Sequence, residues 1–245
     1  MKKAFLVLAL VMCVLCSLPR AWAQNPVVVE LFTSEGCSSC PPADALLVQL
    51  SKGPHSGEDL ILLGEHVDYW NYIGWTDRFS SSEFSQRQSD YAKRLHLASV
   101  YTPQMVIDGQ VQLVGNDAGE VRRNIALAAA KPKPARVALR WDAKTRLHIA
   151  VQTPTTERPR VLLAITEDGL TTAVGAGENG GRTLHHAAVV RQLKDLGTAT
   201  NGTFDTSVDV TQHAGWNTSA VKVAILVQDP ASGKILGAAA IAYQP

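Results

Sequence analysis

Apolar residues follow two patterns along the chain, and the pattern changes near residue 131. Before that point, short continuous apolar runs alternate with segments in which apolar residues recur every three or four positions, which is typical of buried strands and amphipathic helices. The predicted order is β–α–β–α–β–β–α, with strands at 25–33, 60–63, 105–107 and 111–113 and helices at 41–52, 82–97 and 117–131. This order predicts a mixed sheet with helices on both faces.

After residue 135, apolar and polar residues alternate in short runs separated by turn residues. Six strands are predicted, at 136–141, 147–153, 160–166, 204–210, 221–228 and 235–242. This spacing is typical of a small antiparallel β-sandwich. The stiff segment 131–134, with sequence KPKP, is interpreted as a domain boundary. The predicted domains are therefore 26–131 and 135–245.

Residues 1–23 have the pattern of a signal peptide. Two lysines precede an apolar run, and Ala21 and Ala23 supply the small residues that a signal peptidase recognises. The apolar run is short for a membrane span. We therefore expect an exported protein, periplasmic or secreted, with no stable membrane insertion once the signal is removed.

The composition is that of a folded protein with balanced charge. Hydrophobic residues make up 46% of the chain and charged residues 18%, with a formal net charge of +1. No cluster of basic residues is present to bind a phosphate backbone, so nucleic acid is excluded as an expected partner.

Loss of the signal peptide leaves two cysteines, Cys37 and Cys40, in one C-x-x-C motif. A disulfide across so short a loop contributes little chain entropy, which favours a chemical role for the pair. Cys37 precedes a predicted helix, where the helix dipole and the amides of Ser38, Ser39 and Cys40 would stabilise its thiolate. That thiolate would attack a partner and form a mixed disulfide with it. Cys40, one helical turn further on, would be the thiol that resolves this bond. The alternatives are an inert disulfide or half of a zinc site, although no second ligand pair has suitable spacing.

The first part of the chain resembles the thioredoxin-like superfamily, through the strand before C-x-x-C, the helix–strand–helix order and the Thr102-Pro103 pair before a hairpin. The resemblance covers about residues 26–131. It implies an α/β thioredoxin-like domain, followed here by an all-β antiparallel sandwich domain. It also implies that Pro103 is cis, that Thr102 lies beside the cysteines, and that Glu30 corresponds to a buried carboxylate that assists proton transfer. One departure from the thioredoxin pattern is the Ser38-Ser39 pair between the cysteines.

Longer motifs resemble the DUF1223 family of secreted proteins. They are ELFTSEGCSSCPPAD at 30–44, HVDYW at 66–70, Gly74-Trp75, and VYTPQ at 100–104. The resemblance extends over the mature chain, but the family name implies no particular activity.

Polar and aromatic residues follow the second predicted strand, near the sheet edge where α/β proteins bind ligands. His66, Asp68, Trp70 and Trp75 are the candidate substrate-binding residues. His66 and Asp68 would lie on one face of an extended segment. The alternative is a tightly packed aromatic loop with a buried His66.

The second predicted domain offers fewer candidates. The glycine-rich segment 175–181 lacks the strand–loop–helix context of a phosphate site. His185 and His186 are adjacent and would point to opposite faces of a strand. Both features are interpreted as parts of hairpins. The sandwich domain is interpreted as a unit that orients a partner or packs on the first domain.

The predicted function is thiol–disulfide exchange with protein or small-molecule thiols and disulfides, without an organic cofactor or metal. Cys37, Cys40, Thr102, Pro103 and Glu30 are the candidate catalytic residues. One alternative is a module that binds copper(I) or another soft metal through Cys37, Cys40 and His66. Another is an envelope interaction protein without catalytic activity.

Overall fold

The computed structural model describes residues 26–53, 60–154, 157–211 and 213–244. The predicted signal peptide at 1–23 lies outside the described residues. Besides a 3₁₀ turn at Asn71–Ile73, the first half contains seven strands and α-helices in the described ranges: β1 (Val27–Thr33), α1 (Pro41–Lys52), β2 (Leu60–His66), α2 (Ser82–Arg94), β3 (Gln104–Ile107), β4 (Val111–Val114) and α3 (Ala118–Ala129). The predicted helix and strand types are confirmed here, with ends that differ by a few residues.

The second half consists of strands in the described ranges, apart from a 3₁₀ turn at Thr218–Ala220. They are β5 (Arg136–Ala143), β6 (Arg146–Gln152), β7 (Arg160–Glu167), β8 (Leu170–Ala173), β9 (Thr183–His186), β10 (Val189–Thr198), β11 (Thr203–Asp209), β12 (Val221–Gln228) and β13 (Ile235–Ala242). The alternation did not predict β8, β9 and β10. β8 and β9 are short, and β10 contains a glycine and two register shifts.

A mixed sheet of eight strands runs through both halves, in the order β13-β12-β7-β10-β2-β1-β3-β4. β1 pairs with β2 in parallel and with β3 antiparallel. β7, β10, β12 and β13 are joined by antiparallel pairings. The remaining strands form a three-stranded sheet, β11-β6-β5, and a β8–β9 hairpin.

The predicted fold class, a helix-flanked thioredoxin-like domain followed by a sandwich domain, is wrong. Strands from both halves belong to one large sheet, because β10 pairs in parallel with β2 through Val189 and Gly64. Gly64 allows this approach, since a Cβ at that position would lie 3.1 Å from the Ala187 carbonyl oxygen. The first half therefore has no sheet of its own, and strand dominates over helix in the described residues.

Helices cover the two faces of the sheet around β1 and β2. On one face, Val27, Val29 and Leu31 of β1 pack with Leu46 and Leu47 of α1. The opposite face packs against Phe84 and Tyr91 of α2. Residues along β1 and β2 therefore alternate between an α1 face and an α2 face, as the pleat requires.

The far half of the large sheet packs against the three-stranded sheet. Leu147, Ile149 and Val151 of β6 meet Val223 and Ile225 of β12 in a continuous apolar core. This packing of two sheets agrees with the β-sandwich that was predicted from the alternation, although one of its sheets continues into the first half.

No helix within the described ranges is both long enough and apolar enough to cross a membrane.

Candidate functional site

The cysteines form a disulfide at the start of α1. Cys37 and Cys40 are bonded, with 5.4 Å between their Cα atoms. Cys40 has helical backbone angles and is followed by Pro41 and Pro42, which fit the first turn because their missing N–H groups would have no partner there. Both cysteines are fully buried, whereas Ser38 and Ser39 between them are exposed. The disulfide therefore lies directly beneath surface residues.

Two of the three amides expected to stabilise a Cys37 thiolate already have acceptors. The Ser38 N–H donates to Glu178 Oε2 at 3.2 Å, and the Cys40 N–H donates to the Cys37 carbonyl at 3.2 Å. The nearest side-chain donor to sulfur is the Ser39 hydroxyl, 3.4 Å from Cys37 Sγ. The expected set of three amides around Cys37 is therefore not assembled in the disulfide form.

The glycine-rich segment of the second half contacts the disulfide turn. The fully buried Asn179 donates from Nδ2 to the carbonyl oxygens of Glu35 and Cys37, both at 2.9 Å. Gly177 has a φ of +71° and allows the segment to pass close over Trp75. Any other residue at position 177 would place its Cβ only 3.1 Å from the Trp75 Cβ. The segment connects β8 to β9, as the hairpin interpretation requires, but it also fixes the backbone on both sides of Gly36.

Thr102 and Pro103 lie beside the disulfide turn, as expected. The Thr102–Pro103 bond is cis. Trp70 Nε1 donates to Thr102 Oγ1 at 2.8 Å, and the Ser39 hydroxyl lies 3.5 Å from the Thr102 carbonyl oxygen. Trp70 thus connects the loop after β2 to the segment before β3.

A buried cluster of acids and imidazoles lies on the α1 face of the sheet, next to the disulfide turn. We call Glu35, Asp44, His66, Asp77 and His186 the acid–imidazole cluster, since none of them is more than 6% exposed. Trp75 Nε1 donates to Glu35 Oε2 at 2.8 Å. His186 Nε2 lies 3.3 Å from Glu35 Oε1, and the rings of His186 and His66 are 4.9 Å apart.

His66 pairs with Asp77 rather than with Asp68. Its Nδ1 lies 2.7 Å from Asp77 Oδ2, which also accepts the Glu35 N–H at 2.9 Å. Asp68 instead accepts a hydrogen bond from the Ser85 hydroxyl at the start of α2. His66 and Asp68 therefore have different partners, because β2 ends at His66 and the chain then turns.

Burial and charge act against each other in this cluster. Burial opposes ionisation of Asp77, but His66 and the backbone N–H groups of Glu35 and Phe79 together outweigh it and lower the pKa of Asp77. Burial also works against protonation of His66, yet the Asp77 charge and hydrogen bond raise the pKa of His66. Burial raises the pKa of Asp44, and the nearby imidazoles offset only part of that effect. The pKa of Glu35 is lowered, because contacts with His186, Thr172 and Trp75 exceed the cost of its burial.

Glu30 lies on the opposite face of the sheet. Its Oε2 is 2.6 Å from the Arg87 guanidinium, and its Oε1 accepts the Tyr91 hydroxyl at 2.6 Å. The β1 pleat places Glu30 with Phe32, away from the α1 face. Glu30 is therefore paired with an arginine on the face of the sheet that α1 does not cover.

Metal ligands do not converge within the described residues. No group of three or more histidine, cysteine, aspartate or glutamate side chains there has a geometry that could hold a metal ion.

Four residues of this region were not selected from the sequence, namely Glu35, Asp44, Asn179 and His186. Asp44 had a local signal, since it is a polar residue on the otherwise apolar inner face of α1. His186 also had one, because it stands two positions after the apolar Leu184 and so shares its face in an extended segment. Asn179 had none, because its role depends on how the second half folds onto the first.

The fold and the site define a β-rich protein with a C-x-x-C disulfide set at a helix start against buried acids and imidazoles. The chain belongs to the family described as "Protein of unknown function (DUF1223)", whose model matches residues 28–228. No curated protein matches the sequence significantly.

Two solved structures are similar over most of the chain. Protein AGR_C_4864 from Agrobacterium tumefaciens is 28% identical, with a TM-score of 0.72, over 88% of this chain and 93% of that one. HBP35 of Porphyromonas gingivalis is 16% identical, with a TM-score of 0.65, over 89% of this chain and 75% of that one. The second likeness concerns the fold alone.

Proposed function

We propose that this protein is an exported thiol–disulfide oxidoreductase in which Cys37 forms the mixed disulfide and Cys40 resolves it. The observation that carries the proposal is the position of the disulfide beside the acid–imidazole cluster. Buried groups with shifted pKa values concentrate at sites of proton transfer, and thiol–disulfide exchange needs such transfer because the thiolate is the attacking species.

The small size of the disulfide loop supports a chemical role. The two cysteines are three positions apart, so the bond closes one of the shortest possible loops. Such a loop removes little entropy from the unfolded chain. In addition, the segments around it are held by Asn179 and Trp70, which do not require the S–S bond.

The order in which the two sulfurs react follows from their positions relative to the start of α1. Cys37 precedes the helix and lies near the Ser39 hydroxyl, whereas the Cys40 backbone is already helical and accepts the Ala43 and Asp44 N–H groups. The exposed Ser38 and Ser39 mark the side from which a partner approaches. Because both sulfurs are buried, a partner must displace side chains around this turn to reach Cys37.

We infer that the partners are protein or small-molecule thiols and disulfides outside the cytoplasm. The compartment follows from the predicted signal peptide and from the use of the mature chain's two cysteines in one disulfide. The site needs no organic cofactor for this reaction.

Mixed-disulfide trapping tests the proposal. Cys40→Ser, Cys37→Ser and the double variant are reduced, incubated with oxidised glutathione and measured by intact mass. We expect Cys40→Ser to accumulate the glutathione adduct at Cys37 and Cys37→Ser to accumulate much less. The double variant measures adducts formed elsewhere. Equal trapping by the two single variants, or trapping by neither, would contradict the proposal.

A further inference from the structure

Several buried polar atoms on the α1 face have no aligned hydrogen-bond partner within the described residues. They are Thr33 Oγ1, Glu35 Oε1, Asp44 Oδ2, Thr172 Oγ1 and both ring nitrogens of His186. None of these residues is more than 7% exposed. An unsatisfied buried polar group costs about 1–3 kcal/mol, so a concentration of them calls for an explanation.

Asp44 lies one helical turn after Cys40. The Asp44 N–H donates to the Cys40 carbonyl at 3.1 Å, so the turn between them is regular helix. Side chains four residues apart on a helix are neighbours, with Cβ atoms about 5–6 Å apart. Helical side chains also lean towards the N-terminus. The spacing therefore places the Asp44 side chain on the same face of the helix as Cys40.

A cavity connects Asp44 to the surface. Its volume is about 720 Å³, and it lies between α1 and the β8–β9 hairpin. Asp44 and His186 belong to its buried lining, whereas Lys52, Arg182 and His185 are exposed lining residues. The cavity therefore reaches from the Asp44 carboxyl to exposed residues at the surface.

We propose that the Asp44 carboxyl exchanges the proton of the Cys40 thiol during disulfide exchange, with the cavity between α1 and β8–β9 as its route to solvent. The inference rests on the proposed function and assigns the proton transfer that it requires. Glu30, the candidate from the sequence, lies on the other face with both oxygens engaged by Arg87 and Tyr91.

The chemical steps balance with a thiol as the external reductant. A thiolate RS⁻ attacks Cys37 Sγ, the Cys37–Cys40 bond breaks, and Cys40 leaves as a thiolate that takes the proton from Asp44. A second thiolate then breaks the mixed disulfide, giving R–S–S–R and a Cys37 thiolate. In total, two thiols lose two electrons and the protein disulfide gains them. In the reverse direction, Asp44 accepts the proton of Cys40 as Cys40 attacks Cys37.

The surroundings of Asp44 keep its proton available. Burial is the largest effect and raises the pKa of this carboxyl, while His186 and His66 lower it and Asp77 raises it. The Thr33 hydroxyl lies next to Asp44 as well. The remaining charged or titratable groups are Glu35 in the acid–imidazole cluster and, around the cavity, Lys52, Asp168, Arg182 and His185.

The test is the pH profile of reduction of the full mature protein by dithiothreitol. Rates are followed by tryptophan fluorescence, to which Trp70 and Trp75 near the disulfide turn contribute, and are divided by the concentration of dithiothreitol thiolate. In wild type, we expect the corrected rate to fall as pH rises and Asp44 loses its proton. In Asp44→Asn, it should be at least about tenfold lower at the acidic end and independent of pH, since proton transfer by a positioned acid contributes about 10²–10⁴-fold.

Glu65→Gln is the matched control. Glu65 is a buried carboxyl of β2 on the α2 face, and burial raises the pKa of Glu65 as well. We expect this variant to keep the wild-type profile. If Asp44→Asn does not fold, Asp44→Ser is measured with the same expectation.

The outcomes separate the two proposals. If wild type exchanges and Asp44→Asn or Asp44→Ser matches its rates and profile, the role of Asp44 is refuted and the proposed function stands. If Glu65→Gln loses the profile to the same extent, the effect comes from buried charge in general, and the role of Asp44 is again refuted. If wild type is not reduced at any pH, both proposals fail.

Discussion

The two faces of the large sheet compensate buried charge in different ways. On the α2 face, Glu30 and Glu65 lie within 2.6 Å and 3.3 Å of Arg87, whose guanidinium stays charged at every accessible pH. On the α1 face, the acid–imidazole cluster has no arginine among its members, and its basic side chains are histidines. A fixed positive charge suits a structural ion pair, whereas imidazoles and a buried acid can change protonation during a reaction. The position of the disulfide on the α1 face agrees with this difference.

The largest effect is expected from removal of the fixed cation. Arg87→Met leaves Glu30 buried without its partner, which should lower the free energy of unfolding by about 3–5 kcal/mol. For a chain of this size, that corresponds to a decrease in melting temperature of about 10 °C. The measurement is urea unfolding followed by circular dichroism. Arg123→Met, on the exposed side of α3, is the control and should change stability by less than about 0.5 kcal/mol. Similar stabilities for the two variants would show that the Arg87 ion pair is not structural.

A smaller effect is expected where the second half holds the disulfide turn. Asn179→Ala removes two hydrogen bonds to buried carbonyl groups and should cost about 1–3 kcal/mol. The turn is then less restrained, so we also expect faster reduction of the Cys37–Cys40 bond at fixed thiolate concentration. Both effects are measured against Glu178→Gln, which changes an exposed contact to the same turn. An unchanged reduction rate in Asn179→Ala would contradict the restraining role of this residue.

The smallest effect is a pH dependence that belongs to the α1 face. The pKa of His66 is raised in the folded protein, so its pairing with Asp77 stabilises fully below the unfolded pKa of about 6.5 and is lost as pH rises through the folded pKa. The pKa of Asp77 is lowered, so its contribution is present above about 3.8 and lost as pH falls through its folded pKa. The stability difference between wild type and His66→Gln should therefore be on the order of 1 kcal/mol larger at pH 5.5 than at pH 8.5.

The control for this pH dependence is His148→Gln. His148 pairs with the largely exposed Asp205 on the three-stranded sheet, far in sequence from the cluster. Solvent screens a pair whose carboxylate is exposed, so this variant should lower the free energy of unfolding by no more than about 1 kcal/mol at either pH. A His66→Gln difference that is the same at both pH values would mean that His66 is not the titrating partner of Asp77.

Local patterns predicted the elements, and long-range contacts decided their arrangement. Helix α1 and the β3–β4 hairpin follow from apolar spacing and turn residues close in sequence. The union of the two halves in one sheet depends on a single parallel bridge at Gly64, which no periodicity predicts. The same holds for the site. Cys37, Cys40 and Pro103 are recognisable in short motifs, whereas Asn179 and His186 reach the disulfide turn only through the path of β8 and β9.

The central claim, that Cys37 and Cys40 form an exchangeable redox pair, is tested most directly by equilibrium titration of the disulfide against a glutathione redox buffer. The fraction of reduced protein is measured by trapping thiols with iodoacetamide and counting the labels by mass. We expect a reversible two-electron transition with a midpoint potential higher than about −300 mV. Structural disulfides have potentials below that value. A disulfide that stays oxidised throughout the titration, or that is reduced only when the protein unfolds, would contradict the claim.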